Sequence, residues 1–282
     1  MRPRKGKDPK VFGRSKGLVG LDIGSSAVKA VELAASGKSY RVVAYASEAM
    51  APDSIVDGAI IDGAGVADTI RRVFERLGTK TKEVAASLSG NAVIVKKISL
   101  PQMTEAELAE SIKWEAEQYI PFDIQDVNLD YQIVPGDGGA KGSMDVLLVA
   151  AKKEKIADYT GVIAQAGRLP VVVDVDAFAV QNAFEANYDV DPHAVTVLMN
   201  MGASAVNINI VSGTASIFTR DVSIGGNAYT EAVQREFNLT FERAEATKRG
   251  LAGDERADDV DAVLRAVSDN VLLEIQKTFD FY

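Results

Sequence analysis

The run Leu18-Val19-Gly20-Leu21-Asp22-Ile23-Gly24 reads as a buried strand meeting a glycine turn, and Ala27 to Leu33 alternates apolar and polar positions as a returning strand does. A third such run spans Tyr40 to Ala46. Val66, Ile70, Val73, Phe74 and Leu77 then recur at helical spacing, which predicts a helix over 65–77 stopped by Gly78. Two more strands are predicted at Glu83 to Leu88 and Ala92 to Ile98, around the turn-forming Ser89-Gly90-Asn91.

A different texture begins at Pro101. Thr104 stands three residues before Glu107 as a capping box, and Leu108, Ile112 and Ala116 form an apolar stripe. The helix is expected to end at Tyr119-Ile120-Pro121-Phe122, because proline lacks the amide donor and disfavours helix at the residue before it. Strands at Val127 to Val134 and Asp145 to Ala150 flank a turn through Gly136, Gly138, Gly139 and Gly142, and a helix follows from Lys153 to Gly167. This stretch is predicted to be an inserted α+β subdomain. Pro170 to Asp176 is a central-strand pattern with a helix behind it, Ala177 to Asn187.

Strands at Ala194 to Met199, Ala205 to Val211 and Ala215 to Val222, with turns at Asn200-Met201-Gly202 and Ser212-Gly213, repeat the strand, glycine turn, strand, strand order of the opening. Helices are predicted at Ala228 to Phe237, after Thr240, and at Ala262 to Phe279, with Asp254 to Asp261 as a surface turn. The expected organisation is a tail over 1–16, a first lobe over 17–100, the insertion over 101–168, a return to the first lobe over 169–190, and a second lobe over 191–282.

Composition changes this picture in three ways. At 282 residues, with 47% hydrophobic and 25% charged content, the chain is long enough for two lobes. It has no cysteine, which excludes disulfides and thiolate metal sites, and no apolar run approaches the ~18 residues of a membrane span. With no secretory signal pattern, the chain is expected in the cytoplasm. Arg2, Arg4, Lys5, Lys7, Lys10, Arg14 and Lys16 face only Asp8 in the first sixteen residues. Removing those seven basic groups and one acidic group from totals of 31 and 40 leaves 24 against 39, a body too acidic for phosphate-backbone binding. The basic tail is open to two readings, a solvated leader or a contact with anionic lipid.

The chemistry concentrates in the glycine turns. Around Asp22-Ile23-Gly24-Ser25-Ser26-Ala27-Val28-Lys29, small residues let backbone amides approach phosphate oxygens, Asp22 can hold hydrated Mg2+, and Lys29 can neutralise charge. A hairpin carrying Asp and Gly is also common without function. Asn200, Met201, Gly202, Ala203 and Ser204 repeat the arrangement with an amide in place of the carboxylate, and two such turns facing one another would clamp a nucleotide. His193, the only histidine, sits in a loop next to Pro192 and reads as structural or solvated. Trp114, Tyr119, Ile120 and Phe122 read equally as core at helical spacing.

In order and spacing these motifs resemble the superfamily of actin, Hsp70 and the sugar kinases, which implies an α/β, ribonuclease H-like duplicated two-lobe ATPase fold. The inserted subdomain after Leu100 resembles FtsA and PilM. Leu18 to Lys29, Glu115-Ala116-Glu117-Gln118-Tyr119-Ile120-Pro121-Phe122 and Phe218 to Gly226 are similar to the PilM family of type IV pilus assembly proteins. The resemblance implies ATP and Mg2+ as cofactors. Asp22, Gly24, Ser25, Ser26 and Lys29 would form the first phosphate site, with Asp22 holding Mg2+ through water. Asn200, Gly202, Ala203 and Ser204 would form the second. Gly225 and Gly226 would form the turn before the adenosine-contacting helix that carries Glu245 and Lys248. Asp176, in the connecting motif, would position a water.

The same resemblance implies a scaffold that binds the short cytoplasmic N-terminal segment of a PilN-like inner-membrane protein, using Trp114, Tyr119, Ile120, Pro121 and Phe122. It also implies contacts with assembly ATPases or a platform protein, peripheral association with the membrane through partners, and self-association. Asn200 departs from the acidic residue usual in the second motif, so at most slow ATP hydrolysis is expected. The family continues with a glycine-rich adenosine turn and further strands and helices where this sequence stops at Tyr282, so the C-terminal part of the fold is expected to be missing. The alternatives are an FtsA-like filament protein, which would carry a C-terminal amphipathic helix, and a sugar-kinase-type phosphotransferase, which would need an aspartate base in a substrate cleft.

Overall fold

The computed structural model describes residues 17–37, 39–134, 142–253 and 257–281. The basic leader, Gly136, Gly138, Gly139 and Asp254 lie outside the described residues. In chain order the strands are β1 (Val19–Ile23), β2 (Ala27–Ser36), β3 (Ser39–Ala49), β4 (Ile55–Val56), β5 (Ala59–Ile60), β6 (Glu83–Leu88), β7 (Val93–Pro101), β8 (Val127–Val134), β9 (Ser143–Lys152), β10 (Leu169–Val175), β11 (Val195–Met201), β12 (Val206–Ser212) and β13 (Ala215–Val222). The helices are α1 (Gly63–Leu77), α2 (Glu105–Glu117), α3 (Lys153–Gln165), α4 (Asp176–Asn187), α5 (Gly226–Phe237), α6 (Phe241–Lys248) and α7 (Ala257–Phe281). No described helix is long and apolar enough to cross a membrane. The chain groups into two units, residues 1–198 with 209–219, and residues 199–208 with 220–282.

The first unit is organised by a five-stranded sheet in the order β10-β6-β1-β2-β3. β1 pairs antiparallel with β2 and parallel with β6, so one edge of β1 carries a hairpin and the other a crossover. That crossover contains α1, which buries Val66, Ile70, Val73 and Phe74 against Val19, Leu21, Val28 and Val84. Asp62 caps α1 by accepting from the Gly65 amide at 2.9 Å. Gly78 ends it in the left-handed region at φ 68, donating to Phe74 O at 3.1 Å.

A second sheet, β7-β9-β8, is covered by α2 and has its own core of Ile98, Leu100, Leu108, Ile112, Ala116, Val146 and Leu148. The Thr104–Glu107 capping box forms as predicted. The helix ends at Glu117, earlier than its sequence pattern suggested, and a short 3-10 turn at Ile124–Asp126 then leads into β8. The amides of Tyr119 and Ile120 both donate to Ala116 O, at 2.9 and 3.0 Å, so the chain closes in a tightened last turn before Pro121.

The β4–β5 hairpin was not foreseen, although Asp57-Gly58 is a strong turn signal. Both residues adopt positive φ, 48 and 74, as a mirror-image two-residue turn requires. α3 is fastened to this hairpin, because Lys155 Nζ and the Tyr159 hydroxyl, the latter at 3.2 Å, both donate to Gly58 O.

β11, β12 and β13 form a third sheet in that order. α4 is tied to it by a buried amide network within the first unit. Asn209 Nδ2 donates to Ala177 O and to Gln181 Oε1, the Ser216 hydroxyl donates to Asn209 Oδ1 at 2.7 Å, and Gln181 Nε2 donates to Thr214 O. Every one of these side chains is buried, and each finds a partner.

In the second unit, α5, α6 and α7 pack around Val233, Ala244 and Val260. Thr240 caps α6 by accepting from the Arg243 amide. α7 begins at Ala257, so Asp258, Asp259 and Asp261 are helical, not in the predicted surface turn. Carboxylates in a first helical turn meet the positive end of the helix dipole, which favours this start.

Candidate functional site

The first glycine turn is closed by the Gly24 amide donating to Ala27 O at 3.1 Å, which leaves Ser25 and Ser26 as a two-residue loop. A Cβ on Gly24 would stand 3.1 Å from Ala27 O, so the close return of the strand depends on glycine. Asp22 and Lys29 are direct partners in the β1–β2 register, and Lys29 Nζ reaches Asp22 Oδ2 at 2.8 Å. Both side chains are about half exposed, so they are open to a ligand.

Asp176 is the first residue of α4. Its charge and that of Asp22 act on the same group, the hydroxyl of Tyr159. Burial, followed by the negative charges of Asp176, Asp22 and Asp158, pushes that hydroxyl up to about 12. Asp176 and Asp22 thus both bear on Tyr159, which stays a neutral donor to Gly58 O.

The second turn repeats the first. The Gly202 amide donates to Ala205 O at 2.9 Å, and a Cβ on Gly202 would stand 3.0 Å from that oxygen. Asn200 donates to Asn207 across the hairpin at 3.1 Å, seven residues on, as Lys29 is seven residues on from Asp22. Asn207 Nδ2 continues to Asp221 Oδ1 at 2.7 Å. Asn200 and Met201 belong to β11, which runs further than its sequence pattern suggested.

Gly225 lies against this second turn so closely that a Cβ would meet the carbonyl oxygens of Gly202 and Ala203 at 2.6 Å each. The Gly226 amide donates to Gly202 O at 3.0 Å and the Asn227 amide to Ala203 O at 2.7 Å. The start of α5 is thereby anchored on the turn. Ser204 also has a bonding partner.

Glu245 and Lys248 of α6 form an ion pair at 2.5 Å. Between them stands Thr230 of α5, fully buried, which donates to Glu245 Oε2 at 2.6 Å and accepts from Lys248 Nζ at 2.8 Å. Burial works to raise the Glu245 carboxyl, but the hydrogen bonds from Lys248 and Thr230 and the charges of Lys248 and Arg249 outweigh it, and the group sits below its usual range. Sequence reasoning missed Thr230 and Asn207. Thr230 lies one helical turn beyond Gly226, and Asn207 lies where aligning the two hairpins puts the counterpart of Lys29.

Of the five residues expected to meet a partner, one is committed to the core. Ile120 is buried in the insertion's core, with Tyr119 and Phe122 packed against it. Lys96 covers the Tyr119 ring at 5.2 Å and Lys152 the Phe122 ring at 4.3 Å. Pro121 is exposed, and Trp114 projects from the outer face of α2. His193 is exposed, its amide held by Asp191.

The described residues hold no cluster of three or more side chains able to bind a metal on their own. One carboxylate beside a narrow glycine turn fits Mg2+ only as an ion carried in by phosphates, since Mg2+ keeps its waters and takes one or two protein carboxylates with substrate phosphate.

The repeated hairpin, the parallel strands added to the first of them and the inserted subdomain define an actin-like ATPase fold. Solved structures share it. EutJ, the ethanolamine utilization protein of Carboxydothermus hydrogenoformans, is similar at TM-score 0.59 and 16% identity, over 96% of this chain and 74% of that one. MreB 5 of Spiroplasma citri bound to AMPPNP is similar at 0.52 and 13%, over 95% and 80%. Likeness is greater to a chain of the PilM–PilN type IV pilus biogenesis complex, at TM-score 0.83 and 30% identity over 95% of this chain and 78% of that one. The family model for type IV pilus assembly protein PilM matches residues 20–282, and the chain belongs to that family.

Proposed function

We propose that this protein is a nucleotide-binding scaffold of the type IV pilus machine, which takes the cytoplasmic N-terminal segment of a PilN-like inner-membrane protein with an affinity that depends on nucleotide. The observation that carries this reading is the 30% identity and 0.83 TM-score to a chain of a solved PilM–PilN complex. Its place would be the cytoplasmic face of the inner membrane, held there by partners.

In this reading Asp22, Gly24, Ser25, Ser26 and Lys29 serve phosphate and its Mg2+, with Lys29 exchanging its bond to Asp22 for one to phosphate. Asn200, Gly202, Ala203 and Ser204 serve the second phosphate turn, Gly225, Gly226, Glu245 and Lys248 the adenosine, and Asp176 a water. ATP supplies the charge that these residues read. Asn200 cannot act as a base, so the nucleotide works as a conformational ligand more than as fuel. Of the expected partner contacts, Trp114, Tyr119, Pro121 and Phe122 would meet the peptide, with Ile120 serving the core beneath them.

The test is calorimetric titration of a peptide from the N-terminus of the PilN-like protein, with and without ATP and Mg2+. Saturable binding that changes with nucleotide is expected. No binding under either condition overturns the assignment.

A further inference from the structure

The outer face of α2 carries a side chain that the fold does not use. Trp114, the only tryptophan, is 74% exposed, although Leu108, Ile112 and Ala116 on the other side of the helix are fully packed. An indole offers a large flat face with a polar N–H at its edge, which suits a contact.

Its surroundings define what kind. Glu110 and Glu117, both exposed, stand four residues before and three residues after Trp114, so they share its face. α2 as a whole holds five glutamates and one lysine. The same subdomain covers two other aromatic rings with lysines, Lys96 over Tyr119 and Lys152 over Phe122. Among the described residues, no cation stands over Trp114 as those lysines stand over their rings. Its face therefore has the chemistry of an unfilled cation–π site with flanking carboxylates. It repels phosphodiesters and anionic lipid alike.

The chain itself supplies a matching ligand. Its first sixteen residues carry Arg2, Arg4, Lys5, Lys7, Lys10, Arg14 and Lys16 against Asp8 alone, while the rest of the chain is strongly acidic. We infer that the basic leader docks on the Trp114 face of α2, within one chain or between two copies, with an arginine or lysine over the indole and others paired to Glu110 and Glu117. The face is then reserved by the leader until a competing basic segment displaces it.

Trp114 itself is the reporter. Acrylamide quenching of its emission is measured at low salt for three full-length chains. These are the wild type, a variant with the seven basic leader residues replaced by glutamine, and a Glu110→Gln, Glu117→Gln variant with the leader intact. Quenching is expected to rise in both variants, and in the wild type at 1 M salt, where the screening length falls to about 3 Å. Adding a synthetic peptide of residues 1–16 to the leader-neutralised chain restores protection. The same peptide binds roughly tenfold more weakly when that chain also carries the two glutamine substitutions on α2. Protection independent of protein concentration places the contact within one chain, and protection that grows with concentration places it between copies; either supports the docking. Equal quenching in all three chains overturns it. So does a leader-neutralised chain that loses binding to phosphatidylserine vesicles with Trp114 quenching unchanged, because the leader's target is then lipid.

Discussion

The two glycine turns share a backbone and differ in charge. In each, a glycine amide closes a two-residue loop, and the residue two places before that glycine bonds to the one seven places after itself across the hairpin. In the first turn this cross-strand pair is Asp22 and Lys29, half exposed, a pair that an arriving phosphate and its cation can reorganise. In the second it is Asn200 and Asn207, extended to Asp221, with Asn207 buried between two exposed partners. Exposed ion pairs contribute little to stability, whereas buried amides left without partners cost the full loss of hydration. Ligand exchange is thus easier at the charged first turn, while the neutral second turn is held more firmly through its one buried member, Asn207, though the chain path is the same.

The largest effect that would break this comparison is steric. Gly225→Ala drives a Cβ into two carbonyl oxygens of the second turn and is expected to destabilise by about 3 kcal/mol. Gly24→Ala, facing one oxygen at a longer distance, should cost nearer about 1 kcal/mol. Denaturant midpoints measure both, and equal costs would mean that the second turn is no more rigid than the first.

Next in size, Asp22→Ala should weaken binding of ATP with Mg2+ by more than about tenfold while moving the unfolding midpoint little. Unchanged nucleotide affinity in a folded variant would remove the first turn from the phosphate site. Asn200→Asp puts a carboxylate beside Asn207 and near Asp221, and should cost about 1 to 2 kcal/mol. Adding Asn207→Lys, which copies the first turn into the second, should recover roughly half of that in a double-mutant cycle.

The smallest expected effect is a pH dependence in the α5–α6 clamp. The Glu245 carboxyl is held below its ordinary value of 4.5, so its contribution is present above that pH and is lost as pH falls through the lower value of the folded state. The stability difference between the wild type and Glu245→Gln should therefore shrink below about pH 4.5, and thermal unfolding across pH 3 to 6 checks it. A constant difference would show that the carboxyl is not held by Thr230 and Lys248.

What the sequence made legible follows from locality. The strand Glu83–Leu88 and the helix stopped at Gly78 are set by side-chain period and one left-handed residue, and both were readable directly. So were the strand order around each glycine turn and the capping box at Thr104. The ends of α2 and α7 were less legible, because there a downstream proline and the acidic start of a helix compete with the apolar pattern. In the site, the residue types in each turn could be read, but not their engagement. That Glu245 and Lys248 share Thr230, or that Ile120 is core while Trp114 is not, depends on which helix face meets which neighbour, and that is decided by packing between distant segments.

The buried amides around Asn209 have a kinetic consequence. Gln181 of α4 and Thr214 in the β12–β13 turn are 33 residues apart in sequence, and beside their part-buried bond the fully buried bonds of Asn209 to Ala177 O, Gln181 and Ser216 join these segments where no solvent can replace them. Opening either one strands the partners of the other. The first turns of α4 and the tip of that hairpin should therefore behave as one cooperative unit in native-state hydrogen exchange, sharing a single opening free energy. Asp176, at the head of α4, should accordingly move together with the hairpin.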